Sequence, residues 1–116
     1  MKQIKSIFAL KGVPYMNDKK YIDKADKIYL YTMTPDTYII KAAKILGMTY
    51  EQVINTRLKD HHSYLYIGKA AKNGSLTIPV LDYNNNTQDG LHRAMWAKEV
   101  GLKQIPVFVY GEANEN

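Results

Sequence analysis

One stretch constrains the fold more than any other: Gln88 to Tyr110, QDGLHRAMWAKEVGLKQIPVFVY. Thr87 to Asp89 leads into a tight turn at Gly90. A short helix is predicted from Leu91 to Val100, and Gly101 closes it. Ile105 to Tyr110 is a compact run of strand-forming residues. Turn, helix and strand inside so few residues commit the chain to a fold that mixes both element types around one core. The helix is expected to part-bury Ala94, Met95 and Ala97 to Val100, and Trp96 is expected to pack on the sheet.

Upstream, Lys27 to Met33 alternates apolar and aromatic residues and reads as a strand. Thr34, Pro35 and Asp36 follow as a helix start: a capping hydroxyl, a proline at the first helical position and an acid suited to the helix dipole. Tyr38, Ile39, Ala42, Ala43 and Leu46 recur at helical spacing until Gly47. Thr49 and Gln52 stand at capping-box spacing before a second helix with Val53, Ile54 and Leu58 as its apolar stripe. A third helix is expected over His62 to Lys72, ending at Asn73-Gly74. Leu76 to Tyr83 reads as a strand that tolerates Pro79 near its start or at an edge, and Asn84 to Asn86 as a turn. Residues 1–27 are the least legible, with Ser6 to Leu10 a candidate edge strand and Met16 to Asp26 a loop or short helix; residues 111–116 read as a frayed tail. The predicted order is β-ααα-β-turn-α-β, an α/β or α+β arrangement: a small sheet with packed helices.

A chain of 116 residues fits one domain spanning 1–116. Its longest N-terminal apolar run, Ile7 to Leu10, falls short of a signal-peptide core, and no run approaches the roughly 18 residues of a membrane span. A cytoplasmic location is the default expectation, and no membrane is expected as a partner. The absence of cysteine excludes disulfides, thiolate metal sites and a cysteine nucleophile. The formal charge of +5 makes polyanions candidate partners, yet the lysines are scattered along the whole chain. Any nucleic-acid binding from that diffuse field should be weak, sequence-independent and steeply salt-dependent. Against such a background Arg57 and Arg93 stand out, because only guanidinium offers a planar fork for phosphate or carboxylate.

The candidate centre is Asp89-Gly90-Leu91-His92-Arg93, where an extended segment becomes a helix. The N–H groups of a first helical turn favour an anion. Gly90 allows a backbone to approach a ligand closely, and His92 and Arg93 add two donors. Asp89 is placed to cap the helix through its carboxylate. The plainer reading has Asp89 only capping, His92 packing against a strand, and Arg93 pairing with Glu99 or another acid. His61 and His62 point about 100° apart if helical, so a shared metal site is awkward and solvated or capping roles fit better; no metal ligands are assigned. The ten tyrosines read as core residues with surface hydroxyls before they read as base-stacking platforms.

The run DGLHRAMWAKEVGLKQIPVFV resembles the core of the ParB/sulfiredoxin-fold superfamily, in which a Gly-x-His-Arg or Gly-x-Arg-Arg turn opens a helix that leads to Ala-Lys-Glu-x-Gly and a Pro-Val strand. The matching residues are Gly90, His92, Arg93, Ala94, Ala97, Lys98, Glu99, Gly101, Ile105, Pro106 and Val107. Ile78-Pro79-Val80-Leu81 and Met33-Thr34-Pro35-Asp36-Tyr38 resemble, more loosely, segments of small phage members, so that the likeness spans roughly residues 28–110.

The resemblance implies a nucleotide- or phosphate-binding pocket formed by the turn. Gly90, Leu91, His92 and Arg93 would hold the ligand, and Asp89 and His92 would be the candidate acid–base residues. Leu91 stands where sulfiredoxins carry their cysteine, which excludes that chemistry, and where many small members carry arginine, which removes one cation. A partition protein would continue beyond Asn116 into a DNA-binding region, and a kinase-like base has only Asp26, Asp36 and Glu51 as candidates. The expectation is a small phage-type or mobile-element domain binding a nucleotide or nucleic-acid phosphate. Its enzymatic version is phosphoryl transfer or nucleotide hydrolysis with Mg²⁺. The rivals are a non-catalytic factor that binds a host protein and a DNA-binding accessory.

Overall fold

A computed structural model describes residues 2–3, 28–58, 62–72 and 76–111. The expectations for Ser6 to Leu10, Met16 to Asp26, His61, Asn73-Gly74 and residues 112–116 lie outside these. The described elements are β1 (Lys2–Gln3), β2 (Ile28–Met33), α1 (Pro35–Leu46), α2 (Tyr50–Thr56), α3 (His62–Lys72), β3 (Val80–Asp82), β4 (Thr87–Asp89), α4 (Leu91–Glu99) and β5 (Ile105–Tyr110). The radius of gyration, 13.5 Å, matches the value of about 13 Å expected of one domain this long. No helix of the described residues is long and apolar enough to cross a membrane.

The strands form one mixed sheet in the order β1-β2-β5-β3-β4. β5 lies at its centre, antiparallel to β2 from Ile28↔Tyr110 to Met33↔Ile105, and parallel to β3 from Val80↔Phe108 to Asp82↔Tyr110. An uninterrupted apolar strand suits that place, since both faces are covered: Ile105 to Val109 are all buried. The last strand thus lies in one sheet with the segment around Ile78 to Leu81, but the latter strand is shorter than the expected Leu76 to Tyr83. Ile78 and Pro79 are buried without being in it, and the Phe108 N–H donates to the Pro79 carbonyl at 2.9 Å.

The capping signals hold. Thr34 accepts from the Thr37 N–H at 3.1 Å, and Gly47 ends α1 in the left-handed region at φ 68°. Thr49 and Gln52 form both halves of the capping box of α2. Leu58 is buried, yet it lies past the end of that helix. α4 packs against both α1 and α3. It buries Leu91, Ala94 and Ala97, and α1 buries Ala42 and Ala43, small side chains that let helices approach closely. The expected burial of residues 98–100 does not occur: Lys98, Glu99 and Val100 are exposed, because the buried face of the helix runs through Leu91, Ala94 and Ala97 and ends there. Trp96 is half-buried with its Nε1 beside Gly68, so its indole lies against α3.

Thr87 to Asp89, expected only as a lead-in, is a strand of its own, paired antiparallel with β3. The Asn84–Asn86 turn makes it possible. Asp82 accepts from the Asn85 backbone N–H at 3.0 Å and from its side-chain amide at 2.9 Å, and Asn86 takes φ 56°. Tyr38, fully buried on α1, fastens this hairpin to the helices. Its hydroxyl lies 2.9 Å from the Val80 carbonyl on β3 and 3.0 Å from Gln88 Oε1 on β4.

Candidate functional site

The hairpin decides where the candidate residues go. β4 is a sheet edge, and Asp89 at its end is exposed. Gly90 then turns the chain into α4 with φ 142°, a conformation L side chains rarely adopt. A Cβ at this position would stand 2.5 Å from Pro79 Cβ and 2.9 Å from Pro79 Cα. The close approach that glycine allows is therefore made to Pro79 on one side, while Gly90 also lines the pocket described below.

Asp89 does not cap the helix. Gly90 is the N-cap residue, with no side-chain cap bond, and its carbonyl accepts from the Ala94 N–H at 2.9 Å. The Asp89 carboxylate is drawn instead to Arg93, one turn along, with Oδ1 2.9 Å from Nη2. The other terminal nitrogen of Arg93, Nη1, donates to the Thr77 carbonyl at 2.9 Å and to the Thr77 hydroxyl. Arg93 is mostly covered, its side chain 12% exposed, whereas the Asp89 side chain is 85% exposed. A largely covered guanidinium is thus paired with an exposed carboxylate. Among the acids weighed for Arg93, the partner is Asp89 and not Glu99.

Around this turn lies an open pocket of about 370 Å³. Asp89, Gly90, Leu91, His92 and Arg93 all line it, so the five residues singled out in the sequence share one wall. Their characters differ. Leu91 is a core residue, 5% exposed, that contributes an apolar floor. His92 is half-buried, with Nε2 shielded from solvent. The opposite wall comes from α3, through Tyr66, Ile67 and Ala70, with Leu76 and Thr77 completing the lining. Tyr66 is 76% exposed and presents a large aromatic ring at the rim.

The sequence reading missed Thr77 and the α3 wall. Tyr66 and Ala70, four residues apart on a helix, were visible as one face, but nothing local says what that face meets. Arg57, the other arginine, is exposed beyond α2 and does not line the pocket. Nor does the cluster of Asp36, Tyr50 and Lys98 that ties α1, α2 and α4 together. There the Tyr50 hydroxyl donates to Asp36 Oδ1 at 2.8 Å, and Lys98 Nζ lies 3.0 Å from Asp36 and 2.9 Å from the Tyr50 oxygen. The hydrogen bonds from Lys98 and Tyr50 hold the Asp36 carboxyl below the usual carboxylate range, and those to Tyr50 and Asp36 push Lys98 up. Burial pushes the Tyr38 phenol well above its ordinary value, with Arg93 opposing and Asp89 reinforcing the shift.

Among the described residues, no group of three or more His, Asp or Glu side chains is placed to hold a metal ion. In comparisons with models of protein families, with curated proteins and with solved structures, the chain matches none.

Proposed function

We propose that the pocket between α3 and the Asp89–Arg93 turn binds a small phosphate-bearing ligand, a nucleotide being the class that suits its lining. The observation that carries this reading is Arg93, a guanidinium anchored by the Thr77 carbonyl and hydroxyl in the wall of an open pocket at the N-terminus of α4. An anchored fork loses little freedom when it meets an oxyanion, and the first turn of the helix adds its dipole to the same spot. Tyr66 at the rim, with Ile67, Ala70, Leu76 and Leu91 inside, supplies apolar and aromatic surface for the uncharged part of such a ligand. The volume falls within the roughly 300–1,000 Å³ of small-molecule sites.

The test is calorimetric titration of nucleotides, with and without Mg²⁺, into the wild type and Arg93→Lys. Lysine keeps the charge and loses the fork. Losing one charge-assisted hydrogen bond, at about 1.5–3 kcal/mol, should weaken binding roughly 10–150-fold. Equal affinities for the two proteins would remove Arg93 from the binding role. No binding of any nucleotide by the wild type would leave the protein-interaction reading as the better one.

A further inference from the structure

Resting on that reading, we infer that the phosphate this pocket takes is a phosphodiester within a single-stranded nucleic acid, with Tyr66 stacking on the base beside it. The exposure of Tyr66 is the first observation behind this. Tyr38 is fully buried, and Tyr31, Tyr50, Tyr83 and Tyr110 are partly buried against the core. Tyr66 is 76% exposed, more than Ile40 at 46% or Val100 at 54%, and it stands at the rim of the same pocket that Arg93 lines. An unpaired base has a free π-face for such a ring, whatever its sequence, whereas a base inside a duplex keeps its faces covered.

The charge of the pocket is the second observation. Its lining holds Arg93 and Asp89, paired at 2.9 Å, and with His92 neutral no other charged side chain. The start of α4 adds roughly half a positive charge. That suits one negative charge, which is what each diester of a strand carries. A terminal monoester brings roughly −1.5 to −2, and a triphosphate more. Charge beyond the first meets the Asp89 carboxylate and no second cation. The surroundings also give a strand its direction of exit. Asp89 is exposed on the β4 side, whereas Lys69 and Lys72 are exposed in the last turn of α3, past Tyr66. Flanking phosphates are therefore favoured on the α3 side.

The experiment follows a labelled, short oligothymidylate by fluorescence anisotropy as the full chain is added at physiological ionic strength. Wild type, Tyr66→Ala and Tyr66→Phe are compared. Their thermal unfolding should coincide, since the side chain lies largely in solvent. Tyr66→Ala should bind the strand roughly 5–150-fold more weakly, the loss of one base–aromatic stack, and Tyr66→Phe about as tightly as the wild type. A duplex of equal length, or a nucleoside triphosphate, should displace the strand only at concentrations on the order of tenfold higher than unlabelled strand does. Strand binding unchanged by Tyr66→Ala, or a duplex that competes as well as the strand, reduces the binding to the diffuse lysine field and overturns the inference. A triphosphate that binds through Arg93 more tightly than the strand overturns it as well, and leaves phosphate binding standing. No binding of strand or nucleotide by the wild type overturns both.

Discussion

Replacing Gly90 with alanine separates two costs that coincide at this turn. The first is conformational: φ 142° lies where L residues are strained, at about 1–3 kcal/mol. The second is steric, since the new methyl would stand 2.5 Å from Pro79 Cβ and 2.9 Å from Pro79 Cα. Pro79 is fully buried and its carbonyl is bonded to β5, so it has little room to move. Overpacking of this kind costs about 1–3 kcal/mol. Together the two terms reach roughly 2–6 kcal/mol, a large share of the 5–15 kcal/mol that holds a typical domain folded. Gly47→Ala is the control. Its φ is also positive, 68°, but a Cβ there meets nothing within 4 Å, so only the left-handed penalty of about 1–2 kcal/mol applies. Urea unfolding followed by circular dichroism should show a midpoint for Gly90→Ala lower than that of Gly47→Ala by on the order of 1 M. If the two variants agree within about 0.5 kcal/mol, Gly90 does not touch Pro79 as described, and the geometry assigned to the pocket wall goes with it.

Tyr38→Phe should cost about 1–3 kcal/mol in the same assay, because it removes the one hydroxyl proton shared between the part-buried acceptors Val80 O and Gln88 Oε1; a loss under 0.5 kcal/mol would mean the hydroxyl does not fasten the hairpin. The raised pKa of that phenol contributes stability that is whole below pH 10 and fades above it, so its ionisation, followed by ultraviolet absorbance, should coincide with alkaline unfolding. Asp36, held below its ordinary 3.8, contributes stability that is present above that pH and lost as acid brings the pH down through its lowered value. Its pair with Lys98 is about half exposed, so the contribution should stay under about 1 kcal/mol and shrink with salt. Unfolding curves between pH 2 and 6 should therefore show a shallower acid limb for Asp36→Asn than for the wild type, and identical limbs would refute the assignment.

The features legible in the sequence were those whose causes are local. A capping hydroxyl and its acceptor, or a glycine after an apolar stripe, act within four residues, and α1, α2 and α4 begin and end within a residue or two of where those signals stand. The core strand β5 was legible because five buried apolar residues in succession leave few alternatives. β4 was not, since Thr87-Gln88-Asp89 carries no apolar alternation and is a strand only through its pairing with Val80 to Asp82. The same holds at the pocket. The residues of its near wall are consecutive and could be found by inspection. The Asp89 cap failed because an acid at that position has two possible partners, the helix N–H groups and Arg93 one turn on, and the turn at Gly90 gave it to the second. Thr77 and Tyr66 reach the site from 16 and 27 positions before Arg93, a relation that only the sheet and the helix packing create.

The position of β5 has a consequence for how the chain can acquire its fold. It is the central strand of the sheet and also the last described element in the chain, pairing with β2 some seventy-seven residues earlier. During synthesis, β2 and the β3–β4 hairpin leave the ribosome before the strand that joins them exists, each with an edge of unpaired amides and carbonyls. Helices α1 and α2, whose caps are local, can form while they wait, but the sheet cannot close until Tyr110 is clear. Closure over so long a loop is slow compared with helix formation. Nascent chains arrested before Ile105 should therefore be protease-sensitive and prone to edge-to-edge association, and protection should arrive in one step as β5 emerges.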